Sequence, residues 1–530
     1  MADHLCLTLG HNSSAVVIRK GKVICGYENE RLSRIKSDSQ FPRQAIEECI
    51  KYSEEIDNIY ISHWSTDANL SSLSLKHFDP YALNNYFPNA NIHTLSKEFT
   101  HHDAHYWSSL AFAGKDYEEE FSIVADGFGN FGETISIYHK GNLLERTFGY
   151  ASSLGLLYQY ATAYLGMKMN QDEFKLLGYE SLIFSHVTKD AKKIIDDEIF
   201  KILKSINYEQ RSLVPDFKFD PMYSIDSLPM LRSEYSDIFD SILKKIKEKT
   251  AMIIDFDTIR VIISYVVQTI VEKCILNIIN RFKMKRVLLS GGVFLNVKLN
   301  NEISKVVDEI CVNPLCGDQG AALGIYHYQM GDLEIDNLYW GKRDISVANF
   351  IHGINCLNSD NIDMLYGPLS KGMILNIITG NMEFGPRALC NTSTLALPTD
   401  GRDKYINSVN GRSNIMPMAP VMTDPSKFFN LKNIHRSLDF MVIAQDYKDS
   451  YLSTAISHTY YDTNITTGRP QKINKSHILY DIINTFGCLI NTSFNIHGSP
   501  IVFDVKDINE ACKYQRERDY LHRVLTVYIS

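Results

Sequence analysis

The stretch FSIVADGFGNFGETISIYHK, residues 121–140, joins two apolar runs through a glycine-rich loop that opens on an acid, Asp126. β-Branched content on either side of the loop predicts a strand, a tight turn and a second strand. The chain begins on the same design. LCLTLG (5–10) and SAVVI (14–18) flank GHNSS, and KVICGY (22–27) follows the turn RKGK. RVLLSGG (286–292) and EICVNPLCGDQGAALG (309–324) are further apolar strands that run into glycine loops and on toward helices. A single such unit is an ordinary turn. Four in order predict an α/β fold built twice on one plan, with its loops gathered at a nucleotide cleft.

The rest of the chain fits around this frame. A helix is predicted over 42–53 and a strand at NIYIS, 58–62. DTIRVIISYVVQTIVEKCILNIINRF (257–282) is long and apolar, yet Arg260, Gln268, Glu272 and Lys273 interrupt it. That pattern predicts a buried or amphipathic helix and no membrane span. Residues 179–255 read as charged and locally irregular, with KKIKEKT (244–250) a solvated helix face. The glycine-loop pattern stops near 340–350. MILNII (373–378), TLALP (394–398), FMVIA (440–444) and CLINTS (488–493) then read as strands of a second α/β unit. A boundary within 345–365 gives domains 1–350 and 351–530.

At 530 residues the chain exceeds one ordinary core. It is 45% hydrophobic and 22% charged, the balance of a folded globular protein. A net charge of −8 excludes a general attraction to nucleic acid or anionic membrane, so such contact needs a local basic patch. RLSRIK (31–36) and RFKMKR (281–286) are the candidates. The ten cysteines are scattered without a C-x-x-C pair, which fits reduced, buried thiols and a cytoplasmic protein. MADHLCLTLGHN lacks the features of a signal peptide.

Chemistry enters with FTHHDAHYWSSL, residues 99–110. His101 and His105 are one helical turn apart and share a face, with His102 beside them. The spacing fits a helix with a few core histidines, and equally half of a metal site. Asp126 and Asp318 end strands at the expected cleft, and together with the two histidines make a donor set suited to Fe(II), Mn(II) or Zn(II). The glycine loops expose backbone N–H groups that can face phosphate or ribose, at Gly127 and Gly129, at Gly291 and Gly292 with Asn296, and at Gly317. In the second unit, GNMEFGPRALCNTSTLALP (380–398) offers Arg387 as a bidentate phosphate ligand, and CLINTSFNIHGSPIV (488–502) offers Ser493 and Asn495.

These motifs, in this order, resemble the nodulation and cephamycin type O-carbamoyltransferases. The resemblance runs from His11-Asn12-Ser13-Ser14-Ala15, ENERLSRIK (28–36) and Phe41-Pro42, through the H-x3-H segment, the D-G-x-G loop and DEFKLLG (172–178), to GGVFLN, the G-D-x-G loop, MEFGPRAL and NTSFN-x-x-G-x-P. It implies a duplicated actin-like, sugar-kinase-type domain followed by a YrdC-like α/β domain. It also implies a reaction. Carbamoyl phosphate and ATP give carbamoyl-adenylate in the second domain, and the first domain transfers the carbamoyl group to a hydroxyl. By the same resemblance His101, His105, Asp126 and Asp318 hold the metal, iron(II) foremost, with magnesium an expected companion of ATP. His11 accepts the acceptor's proton, Lys175 approaches the phosphate, and Gly291, Gly292 and Asn296 hold the adenosine. Arg387, Arg412, Ser493 and Asn495 hold carbamoyl phosphate and ATP.

The chain departs from the family pattern in places. NGRSNIMPMAP (410–420) keeps Arg412 but carries Ser413 where the family has Glu and Met416 where it has Arg. Asn12 stands for the usual Asp, and Thr392 where Arg is common. The acceptor expected is the hydroxymethyl group of 5-hydroxymethylcytosine, in DNA or as nucleotide. This rests on an Ile-, Lys-, Asn- and Tyr-rich composition of the kind AT-rich phage genomes encode. Sugar or antibiotic hydroxyls, or a tRNA threonylcarbamoylation-type reaction, are the alternatives. A homodimer is the assembly considered, and acceptor recognition is placed in 179–255 and around 64–98.

Overall fold

The computed structural model describes residues 3–65, 80–205, 228–415, 417–448, 458–460 and 465–530. Met416 and the central parts of the two regions expected to recognise the acceptor lie outside the described residues.

The first five strands are β1 (Asp3–Thr8), β2 (Ser14–Arg19), β3 (Lys22–Glu28), β4 (Ile56–Ser65) and β5 (Asn91–Leu95). They form one sheet in the order β3-β2-β1-β4-β5, antiparallel across β1, β2 and β3 and parallel across β1, β4 and β5. The next five are β6 (Phe121–Ala125), β7 (Glu133–His139), β8 (Asn142–Phe148), β9 (Arg286–Ser290) and β10 (Glu309–Val312). Their order is β8-β7-β6-β9-β10, with the same pattern of antiparallel and parallel pairs. The two sheets are one plan used twice, so the duplicated α/β arrangement expected from the glycine loops is present. β1 and β6, each buried along its length, are the equivalent central strands.

Each half ends in a helix that returns to the junction: His101–Ala113 after β5, and Ala321–Met330 after β10. The two helices pack on each other. A Cβ at Gly324 would stand 1.8 Å from the carbonyl oxygen of Ala104, so this crossing admits only glycine. The long apolar run forms the helix Phe256–Phe282, capped by Asp255, which accepts a hydrogen bond from the Thr258 N–H. It has the length and hydropathy of a membrane span, but 61% of its most apolar window is buried within the fold.

Two expectations are corrected here. Residues 179–255 are not irregular where they are described. They form helices Ile183–His186, Lys189–Ser205 and Leu228–Lys249. Tyr235, Phe239, Ile242, Leu243 and Ile246 recur at helical spacing and are buried, while the lysines between them mask the periodicity in the sequence. KKIKEKT does fall on a helix end, as expected. FMVIA (440–444) is not a strand. It runs from the 3₁₀ turn Ser437–Phe440 as an extended strap that packs against the first domain. Asn300 Nδ2 donates to the Val442 carbonyl at 2.7 Å, and the Ala444 N–H to that of Val297 at 3.0 Å. Its unbroken apolar run reflects burial on all sides.

The second unit is a mixed seven-stranded sheet. Its strand order is Ile354–Leu357, Val524–Ile529, Ile374–Thr379, Thr392–Ala396, Leu489–Ser493, Ala419–Met422 and Gln471–Lys472. The runs read as strands at 373–378, 394–398 and 488–493 are its centre. Helices Arg402–Val409, Tyr480–Phe486 and Val505–Arg516 accompany the sheet.

Candidate metal centre and interdomain anion cavity

The duplication explains why four distant residues meet. His11 follows β1 and Asp126 follows its counterpart β6. His101 starts the helix after β5, and Asp318 sits in the turn that starts the helix after β10. Equivalent loops of the two halves therefore face each other across the helix crossing.

Nitrogen and carboxylate oxygen donors of His101, His105, Asp126 and Asp318 all lie within 4.8 Å of one another. His101 Nε2 is 3.2 Å from Asp126 Oδ2 and 3.3 Å from Asp318 Oδ1. His105 Nε2 lies 3.0 Å from His101 Nε2 and 3.5 Å from Asp318 Oδ1. Burial disfavours a charged His101, but the two carboxylates outweigh it and raise its pKa to about 10. Two imidazole nitrogens and two carboxylates converging on one point suit a borderline divalent cation. The donors are also braced. The Gly292 N–H donates to Asp126 Oδ1 at 3.0 Å, leaving Oδ2 toward the histidines. Upstream, Asp103 Oδ2 accepts the Thr100 N–H at 2.8 Å, and Asp103 Oδ1 accepts from Arg146 and the Tyr138 hydroxyl, each at 2.7 Å. This fixes the start of the histidine helix against the hairpin of β7 and β8.

His102 is not part of the cluster. One residue along a helix is a quarter-turn and more away, and His102 Nδ1 meets Ser136 Oγ at 2.9 Å. Burial holds its pKa well below the ordinary histidine value. His11 Nε2 is 3.1 Å from Asp318 Oδ2, with its side chain 43% exposed, so it stands at the open edge of the centre.

The second feature is a cavity of 440 Å³ lined by both domains. Arg387, Arg412, Ser493 and Asn495, expected together, do line it, and Lys175 faces them from the first domain. Lys175 Nζ pairs with Asp172 at 2.8 Å, and Asp172 is the one acid in the wall among the described residues. Arg412 donates to the Thr492 hydroxyl, and Ser493 Oγ to Asn495 Oδ1 at 2.6 Å. Glu383 shapes the loop bearing Arg387 by accepting the N–H groups of Leu389, Asn391 and Thr392 at 2.7, 2.8 and 3.0 Å.

Arg469 is a residue the sequence reading missed. It lines the same cavity, in a GRP turn with no glycine loop to signal it. Burial pushes it well below the ordinary arginine pKa, and repulsion from Arg387 and Arg412 adds to this. Burial likewise lowers Arg387 and Arg412 to about 10. Among the described residues none of the three has a carboxylate partner. Three half-buried guanidiniums held together without an acid partner form an anion site. Lys36 and Lys168 extend it, and were likewise not singled out.

The loop that leads to Asp318 packs against the loop that bears Arg387. A Cβ at Gly385, two residues before Arg387, would meet Leu315 Cδ2 at 3.1 Å, and Leu315 precedes Asp318 by three residues.

Other expected residues are placed differently. Asn296 is 8% exposed and caps the helix Val297–Ser304 by accepting the Leu299 N–H at 3.0 Å, while its amide pairs with Gln268 at 2.7 Å. Gly291 and Gly129 serve close packing: a Cβ would stand 2.3 Å from the Ala125 carbonyl oxygen and 2.1 Å from Glu133 Oε1, respectively. Gly127 lies against Gly155, whose Cβ would stand 2.7 Å away. Gly317 precedes the turn that delivers Asp318.

In the two basic runs the arginines are engaged within the fold. Arg281 meets Glu145, and Arg286 meets Glu120, at 2.7 Å each, with Arg286 also 2.8 Å from Glu309. Arg31 and Arg34 face inward and are held by acids and carbonyl groups. Lys36 alone of these reaches the cavity wall.

Known proteins were compared with this arrangement. The family model described as "Carbamoyltransferase N-terminus" matches residues 88–326, and that described as "Carbamoyltransferase C-terminus" matches residues 367–526. The "Nodulation protein NolNO" of Sinorhizobium fredii is 25% identical over 94% of this chain and 76% of its own length. The "3'-hydroxymethylcephem-O-carbamoyltransferase" of Amycolatopsis lactamdurans is 27% identical over 42% of this chain and 45% of its own length. A solved structure, the activator of the 2-hydroxyisocaproyl-CoA dehydratase from Clostridium difficile, aligns over 62% of this chain and 94% of its own at 15% identity and a TM-score of 0.33.

Proposed function

The chain belongs to the carbamoyltransferase family, and from that premise we propose that it makes carbamoyl-adenylate from carbamoyl phosphate and ATP and transfers the carbamoyl group to a hydroxymethyl acceptor. The observation that carries the reading is the cluster of Arg387, Arg412 and Arg469 in the cavity wall, none of them paired with a carboxylate among the described residues, close to a four-donor metal centre. In the proposed division of labour, residues 351–530 form the adenylate and residues 1–350 transfer the carbamoyl group.

Water hydrolyses carbamoyl phosphate to carbamate and inorganic phosphate, the bond between the carbamoyl and phosphoryl groups breaking. A carbamate oxygen then attacks the α-phosphorus of ATP, and pyrophosphate leaves. Arg387, Arg412 and Arg469 neutralise the phosphates, Ser493 and Asn495 hold the carbamoyl end, and Lys175 faces the phosphates from the opposite wall. The mixed anhydride has AMP as a good leaving group. It is also labile, and the packing of the Gly385 loop on the Leu315 loop keeps the two sites close together. There the acceptor oxygen attacks the carbamoyl carbon, the bond to AMP breaks, and His11 takes the hydroxyl proton. A divalent metal held by His101, His105, Asp126 and Asp318, iron(II) foremost, supplies Lewis acidity toward the carbamoyl carbonyl.

The acceptor proposed is 5-hydroxymethylcytosine. The pairing of the arginines in the two basic runs favours the free nucleotide over the polymer. The test incubates the protein with ATP, carbamoyl phosphate and Fe(II) and reads adducts by mass spectrometry. Parallel arms hold the hydroxymethylated nucleotide, modified DNA digested to nucleosides, hydroxylated sugars and a hydroxymethylcephem. A gain of one carbamoyl group on the nucleotide is expected. Pyrophosphate release with an adduct only in a sugar or cephem arm would keep the chemistry and replace the acceptor. Absence of carbamoyl-phosphate-dependent pyrophosphate release would overturn the adenylate route.

A further inference from the structure

ENERLSRIK (28–36) contributes only Lys36 to the cavity above, yet three of its charged residues are deeply buried. Arg31, Glu28 and Glu30 are 3%, 5% and 5% exposed. Arg31 donates to Glu30 Oε1 at 2.6 Å and to Glu28 Oε2 at 2.8 Å. Ion groups this deep are held in place by one another, because removing any one leaves the others uncompensated. The triad also reaches out of its own domain. Arg31 Nη2 donates to the Gly385 carbonyl at 2.8 Å, and Glu28 Oε2 accepts the Gly385 N–H at 3.2 Å. Both backbone polar groups of one glycine, with φ +96°, are thus gripped by the first domain.

One helical turn later, Arg34 repeats the contact on another loop. Its Nη1 donates to the Ile501 carbonyl at 2.8 Å and its Nη2 to that of Pro500 at 2.9 Å, and its Nε lies 3.1 Å from Asp507 Oδ1. The two gripped loops are the two motif loops of the second domain. Gly385 leads directly into Pro386 and Arg387, and Pro500 directly follows His497, Gly498 and Ser499, all of which line the cavity. The segment also orders its own end: Glu30 Oε2 accepts the Ser37 N–H at 2.8 Å, beside the cavity residue Lys36.

We propose that ENERLSRIK is a latch by which the first domain sets the anion cavity of the second, with Arg31 fixing the loop of Arg387 and Arg34 fixing the NTSFN loop. Arg31 and Arg34 are positioning residues; neither is needed to touch a substrate. The second domain therefore completes its adenylate-forming site only when docked on the first, which ties formation of the labile intermediate to the presence of its consumer. This inference rests on the reading that the cavity takes ATP and carbamoyl phosphate.

Arg34 provides the test, because its side chain is 30% exposed and its φ of 61° is one asparagine tolerates. The full chain is compared with Arg34→Asn and Arg34→Lys. Lysine keeps the charge but cannot fork onto two adjacent carbonyls. Loss of the forked contact is expected to raise KM for ATP and for carbamoyl phosphate about tenfold in both variants, with acceptor KM and bound metal unchanged. Wild-type behaviour of Arg34→Lys, or an equal rise in acceptor KM, would overturn the latch. Calorimetric titration with ATP separates this from the functional reading. If the wild type binds ATP but releases no pyrophosphate, the reaction assignment fails, while a tenfold weaker ATP affinity in Arg34→Asn still upholds the latch and an unchanged affinity refutes it.

Discussion

The backbone N–H of Gly292 holds Asp126 Oδ1 at 3.0 Å, and a methyl group on Gly292 would stand 2.7 Å from that same oxygen. The glycine of the GGVFLN loop thus orients a carboxylate of the metal centre. Its φ is not in the left-handed range, so alanine is compatible with the backbone and only the carboxylate must move. Gly292→Ala is expected to weaken metal binding by about 10- to 100-fold, as loss of a supporting contact to a metal ligand does. A metal titration of the folded variant checks this, and unchanged affinity would contradict it.

The histidine helix makes a second prediction. His101→Ala and His105→Ala are expected to reduce bound metal to background, whereas His102→Ala keeps full metal content and loses stability instead. His102 faces Ser136 and not the carboxylates. Elemental analysis and a thermal melt on each variant separate the two roles.

Arg469 is predicted to trade stability against binding. With no acid beside it and two guanidiniums repelling it, Arg469→Met relieves a buried charge. The variant is expected to melt at a higher temperature than the wild type without ligand, and to lose most of the rise in Tm that ATP or pyrophosphate gives the wild type. Differential scanning fluorimetry with and without pyrophosphate reads both effects. A full ligand-induced shift would remove Arg469 from the anion site.

Glu180 and Lys298 form an ion pair buried between the DEFKLLG helix and the helix after GGVFLN. Lys298→Met leaves Glu180 alone in the interior and is expected to destabilise the fold by about 3–5 kcal/mol. Adding Glu180→Leu is expected to restore most of that loss. Denaturant unfolding of the single and double variants checks it. A double variant no better than the single one would show that the pair is not the source of the loss.

Stability should also respond to Glu272. Burial raises its pKa to about 7 from an ordinary 4.5, with a hydrogen bond from Gln268 opposing the shift. Between those values the unfolded chain ionises while the folded one stays protonated. The stabilisation is therefore full below about pH 4.5 and is lost as pH rises through 7. Glu272→Gln keeps an acceptor for Gln268 and removes the titration. It is expected to match the wild type near pH 5 and exceed it by about 2 kcal/mol at pH 8. Equal stability at both pH values would refute the shift.

The sequence by itself determined the duplicated plan, because a strand, glycine loop and strand occur at 5–18 and again at 121–140, each strand an apolar run of the kind that is buried on both faces. It also determined the donor set of the metal centre, since one helical turn places His101 and His105 on one face whatever surrounds them. It named Arg387, Arg412, Ser493 and Asn495 because their loops are rich in Gly, Pro and Asn. What only the tertiary structure decided is everything that depends on which distant segments meet. Arg469 joins the anion cavity through a turn with no local signature. FMVIA looks like a strand because it is apolar, but its backbone bonds with helix residues 297 and 300 and not with a sheet. RLSRIK and RFKMKR look like phosphate patches because a chain of letters shows its cations and not the acids and carbonyls that fold back on them. Local periodicity is written in neighbouring residues, whereas charge compensation is a property of space, and the acids and carbonyls that answer Arg31, Arg34 and Arg286 include groups more than a hundred residues away.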